Sequence, residues 1–144
     1  MIVDLTGVAI RELLANAGVT AIAGQKVRPE WASNESPPGV IVEGLTTTYN
    51  LGPGTRSLGI QVPLFVAKCY GAPTGAQGGR VQASQLANAV VEAMNMRGPR
   101  RDTSGRLVYA SVVESGGDRG VDPDTKWPHV DVVFRIVGAQ QAVA

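Results

Sequence analysis

The stretch Trp127-Pro128-His129-Val130-Asp131-Val132-Val133-Phe134-Arg135-Ile136-Val137 decides the fold. From Val130 its even positions, Val130, Val132, Phe134 and Ile136, are all apolar, while His129, Asp131 and Arg135 fall on odd positions. That is the period-two pattern of a strand that buries one face. Such a strand needs partners. The nearest is 106–114 (RLVYASVVE), which lies across the polar stretch 115–126 (SGGDRGVDPDTK). This stretch is too long for a tight turn and holds Gly116, Gly117, Gly120 and Pro123, so it reads as an irregular loop. Loops of that size in compact domains are usually functional or disordered. The sheet then acts as scaffold and the loop as a contact surface.

Working outward, 57–69 alternates with Leu58, Ile60, Val62, Leu64 and Val66 on one face, and Pro63 on the other face favours an edge or a bulge. Before it, 40–49 reads as another strand, and 50–56 (NLGPGTR) supplies turn residues for a hairpin that projects as an interaction arm. A first helix is expected over 8–17, where Leu13 lies on an apolar stripe and Gly18 gives the stop. A second is expected over 80–97, with Leu86, Val90 and Met94 repeating every four residues before Gly98 and Pro99. The order helix, strand, strand, helix, strand, strand predicts an α+β two-layer sandwich: a mainly antiparallel four-stranded sheet, two packed helices and a long β-hairpin. One domain spans 1–144, with 138–144 as a flexible tail. The faces expected toward Leu13, Leu86 and Val90 are Leu58, Ile60, Val62 and Leu64 on one strand and Val130, Val132, Phe134 and Ile136 on the other.

Composition narrows the function classes. Lys+Arg 13 against Asp+Glu 12 leaves a net charge of +1, so no global field favours nucleic acid or an anionic membrane. The local group Arg97, Arg100, Arg101 and Arg106 follows a helix end and reads as solvated surface or subunit contact. The single cysteine, Cys69, rules out an intrachain disulfide and suits a reducing compartment. No secretory signal and no membrane-length apolar run is evident, so a soluble protein made in the cytosol is expected.

Chemistry is thinly represented. His129 is the only histidine, and its place beside Pro128 on the polar side of a strand suits an exposed or interface imidazole better than a catalytic base. Asp118, Asp122 and Asp124 invite a hard cation, but their spacing departs from the EF-hand pattern and Arg119 and Lys126 intrude. Gly75, Gly78 and Gly79 precede a helix without the Lys-Ser/Thr of a phosphate loop. Trp31 and Trp127 read as lids or interface anchors.

The helix over 8–17 followed by Val19-Thr20-Ala21-Ile22-Ala23-Gly24 and Val27-Arg28-Pro29, the entry Pro38-Gly39-Val40-Ile41-Val42, the helix over 81–94 and the closing Val130-Asp131-Val132-Val133-Phe134-Arg135-Ile136 together resemble a family. The chain is similar to the tail terminator (tail completion) proteins of long, non-contractile-tailed bacteriophages. The likeness is one of order and hydrophobic pattern across nearly the whole chain. It implies a structural subunit without catalytic residues, metal or cofactor, which forms a homo-oligomeric ring, a hexamer in the family. The ring caps the tail tube, meets the tail tube protein and the head-tail connector or head-completion protein, and touches DNA only as it passes through the lumen. The implied location is the virion, at the top of the tail, after assembly in the host cytoplasm.

A ring needs two distinct surfaces per subunit. Asn50, Leu51 and Arg56 on the hairpin, and Asp118, Arg119, Asp122, Asp124 and Trp127 on or beside the loop, are the candidates. Another neck, head-closure or tail tube protein shares these expectations. From a different class, a small metal- or ligand-binding domain would use Asp118, Asp122 and Asp124 with His129.

Overall fold

Three helices and eight strands make up the ordered elements in a computed structural model that describes residues 5–46, 49–51, 57–73, 78–103, 105 and 107–139. The side chains of residues 46, 49–51, 57–61 and 139 are outside that description. The elements are α1 (Thr6–Leu14), α2 (Ala17–Ala23), β1 (Val27–Arg28), β2 (Gly39–Thr46), β3 (Tyr49–Leu51), β4 (Ser57–Gln61), β5 (Leu64–Tyr70), α3 (Arg80–Met94), β6 (Arg100–Arg101), β7 (Leu107–Val121) and β8 (Pro128–Ala139). The expected four-stranded, two-helix sandwich is therefore incorrect. Six strands follow one another in the order β1-β2-β5-β8-β4-β3, and β7, carrying β6, pairs with β8 as well. The sheet is mixed, because β1 runs parallel to β2, and it is curled.

The sheet departs from the expectation at three places. The strand expected over 57–69 breaks at Val62 and Pro63. Proline has no amide to give a ladder, but its carbonyl accepts from Ile136 N at 3.2 Å, so the chain stays on the sheet while β4 and β5 pair with different stretches of β8. The stretch expected to be a loop over 115–126 is mostly strand. β7 pairs with β8 from Val108↔Gly138 to Val121↔Pro128, and only 122–127 connect them. The glycines are absorbed by register shifts at Val113/Ser115 and Asp118/Val121, and Gly120 takes φ 72, which a side chain would resist. β8 also continues through Gly138, paired to Gln61 and Val108, where a free tail was expected.

All three helices contribute to one core against one face of the sheet. Val8, Leu13, Val19, Leu86, Val90 and Met94 meet Val40, Val42, Phe65, Ala67, Cys69, Val132, Phe134 and Ile136. Phe65 and Phe134 are register partners and stack with centroids 5.6 Å apart. The even face of β8 points to the helices as its pattern demands. In β5 the odd residues do so, contrary to the expected Leu64 face, and Leu64, Val66 and Lys68 lie on the helix-free side. The side chains of Leu58 and Ile60 lie outside the described residues.

Side-chain bonds fasten the helical layer to the sheet's end. Asn16 caps α2 by accepting from Val19 N at 3.1 Å. Arg11 of α1 binds the buried carboxylate of Asp102 at 2.7 Å, and Glu12 accepts from Arg100 at 2.8 Å, with both Glu12 and Arg100 largely buried. Arg100 also donates to Ser111 Oγ at 2.8 Å. Part of the arginine group read as solvated surface is thus an internal clamp. Arg101 stays exposed and donates to the Gly105 carbonyl, and Arg106 lies outside the described residues.

Candidate interaction surface

The helix-free face carries the chemistry. Register puts Tyr70 opposite His129 and Lys68 opposite Asp131, and side chains alternate along each strand. With Cys69 and Ala67 committed to the core, Tyr70, Lys68, His129 and Asp131 all emerge on the other side. Tyr70 and His129 stack at 5.1 Å. Trp31, from the loop before β2, meets Tyr70 edge-on at 5.5 Å and Trp127 at 5.3 Å. Trp31 can lie there because residue 39 is glycine: a Cβ at that position would stand 2.6 Å from Trp31 Cη2. Among the described residues the Trp31 indole Nε1 is buried without a hydrogen-bond partner. Trp31 and Trp127 are each partly exposed.

Polar and charged side chains lock the turn end of the β7–β8 hairpin onto this cluster. His129 Nδ1 lies 2.6 Å from Asp131 Oδ1, and Arg119 Nε lies 3.6 Å from Asp131 Oδ2. Tyr70 OH donates to Asp122 Oδ2 at 3.1 Å. Burial first, and then this bond to a carboxylate, pushes the Tyr70 phenol well above its ordinary pKa. Asp122 Oδ1 accepts from Asp124 N at 2.8 Å and Thr125 N at 3.3 Å, which builds the turn. These amides, the first above all, hold its carboxyl below the ordinary value. Asp118 is likewise lowered, chiefly by Arg80 at the start of α3 and then by Gly120 N at 2.7 Å.

Of the residues proposed from sequence, Asp122 and Trp127 belong to this cluster, and Arg119 joins it through Asp131. Asp118 sits on β7 and turns to Arg80, and Asp124 contributes its amide to the turn. Asn50 and Leu51 lie apart on β3, paired with Ile60 and Ser57 of β4, and Arg56 is outside the described residues. The three aspartates do not converge: among the described residues no group of three or more His, Cys, Asp or Glu side chains is placed to hold a metal ion. Sequence reasoning missed Tyr70 and Asp131. The signal was the apolar pairing of Cys69 with Val130, which fixes Tyr70 beside His129. Among the described residues no helix is long and apolar enough to cross a membrane.

No protein-family model matches the chain, and no curated protein matches it. Among solved structures it is similar to a chain described as "Virion of native gene transfer agent (GTA) particle", with TM-score 0.60 and 20% sequence identity. The match covers 91% of this chain and 91% of that one. At that identity the likeness is one of fold, and it runs through nearly every element described above.

Proposed function

We propose that the chain is a structural subunit of a phage-like virion, a tail terminator whose ring closes the tail tube and joins it to the head-side connector. The observation that carries this reading is the fold shared with a gene transfer agent virion chain across 91% of both chains. Two features of the surface support it. The partly exposed Trp31 and Trp127, held by Tyr70 and His129, have the composition of an interface centre. The β7–β8 hairpin presents charges of both signs, which favours register and orientation over raw affinity.

The native mass of the purified full-length protein tests this reading, together with that of the same subunit released from particles. A species of about six times the 15.0 kDa chain is expected from at least one source, since rings are closed, countable assemblies. A strict monomer from both sources overturns it. Many copies per particle, stacked along the tail, would make the chain a tube subunit instead.

A further inference from the structure

Ion pairing over the surface is nearly complete, and its gaps fall toward opposite ends of β8. Among the described residues every arginine but Arg97 and Arg101 meets a carboxylate. Both lie along the outer edge of β7, where Arg97 bridges Ser111 and Arg101 pairs with Leu107, level with 136–138 of β8. They are exposed and donate to the backbone carbonyls of Ala93 and Gly105. The described carboxylates without an ion pair are Glu30, Glu92, Asp122 and Asp124. Glu30 precedes Trp31, and Asp122 N donates to Trp127 O at the turn that also holds Asp124, so three of the four stand at the aromatic cluster. From His129 there to Ile136 at the arginine end the strand runs about 23 Å.

The arginine end also carries an apolar side chain for which the fold has no use. Met96 is 80% exposed and takes φ 54, a left-handed conformation that favours glycine or asparagine. Both neighbours hold it there. Asn95 N donates to Val91 O at 2.8 Å and its Oδ1 accepts from Val113 N, while Arg97 exchanges amide and carbonyl with Ser111 at 3.0 Å. The methionine is thus held out on a fixed backbone, and Tyr109, 39% exposed, lies on the adjoining stretch of β7. Methionine, arginine and tyrosine are residue types that interface centres gather.

The aromatic end offers the complement. Trp31 and Trp127 are partly exposed there and Val121 is 52% exposed. The Asp122 carboxyl, held below its ordinary value by backbone amides, stays charged at neutral pH. Thioethers pack well on aromatic rings, and a guanidinium binds a carboxylate or an indole face. Lys26 and Lys126 offset part of the acid at this end and Glu92 part of the base at the other, and each end keeps the sign of its majority.

We propose that the arginine end of one copy docks on the aromatic end of a second copy of this chain, Arg97 and Arg101 meeting Glu30 and Asp124 while Met96 packs on the tryptophans. The contact is heterologous, one patch meeting a different one, which is the kind that repeats from copy to copy and can close into a ring. The inference rests on the ring reading above and names the surfaces that make it.

Two charge-reversed variants of the full chain test it, read by native mass and melting temperature. One carries Arg97→Glu with Arg101→Glu, the other Glu30→Arg with Asp124→Arg. Each alone sets like charges against like and should run as a monomer, with its melting temperature within about 4 °C of the wild type. Mixed in equal amounts they meet opposite charges at every contact, native at one and reversed at the next, which a ring of six accommodates, and the ring mass should return. Met96→Ala, at a position outside the core, should raise the concentration for half-assembly at least about tenfold. If either reversed variant keeps its rings alone, if the mixture stays monomeric, or if Met96→Ala assembles as the wild type does, the docking is wrong and the ring reading stands. If the wild type forms no ring in solution or in particles, both fail.

Discussion

Phe134 is fully buried, opposite Phe65 and under α3. Truncation there leaves a cavity that neighbours on rigid strands cannot fill. Phe134→Ala is expected to cost about 3–5 kcal/mol in denaturant unfolding, and a loss below about 1 kcal/mol would show the site to be loosely packed. Tyr70→Phe removes only the bond to Asp122 and should cost about 1 kcal/mol, while the aromatic contacts with Trp31 and His129 remain. No change in the unfolding midpoint would place that bond outside the folded-state balance. At this scale the face of β8 was legible, because charged residues occupy its odd positions. The face of β5 was misread because Leu64 to Cys69 is apolar on both sides. Lys68 held the answer: it shares a face with Leu64 and Val66, and a lysine with no buried partner keeps its face toward water.

The β7–β8 hairpin is the element whose reading changed most. Its glycines and mixed charges have low strand propensity, yet β8 needed a partner along its first half, and tertiary pairing overrode the local signal. Replacing 116–124 with a short Gly-Ser linker, harmless in a passive loop, here deletes the partners of Val132, Asp131 and Val130. The melting temperature should fall by more than about 4 °C, the shift of roughly 1 kcal/mol or more in a domain of this size. An unchanged value would return the stretch to a loop. The turn is also acid-sensitive. Asp118 and Asp122 are held below their ordinary 3.8, so the stability they add is present above that pH and is lost as pH falls through their lower folded values. Amides of Gly120, Asp124 and Thr125, which donate to these carboxylates, should lose protection below about pH 3.8 before those of β5 do. Equal protection in both regions down to unfolding would contradict this.

For the whole molecule, α1 and α3 could be sensed from periodicity, but α2 and the size and strand order of the sheet could not. β1, β3 and β6 are too short to carry a pattern of their own and exist because longer neighbours offer them an edge. The ion pairs of α1 with Asp102 and Arg100 join residues about ninety positions apart, beyond the reach of local pattern. The result is a helical layer on one side of the sheet and a polar and aromatic face on the other. We propose that this subunit forms a ring at the top of a tail. It is tested most directly by imaging purified particles in which the subunit is labelled and its copies counted. One ring of labels at the joint between head and tail is the predicted result. Labels spread along the tail, or absent from the particle, would contradict it.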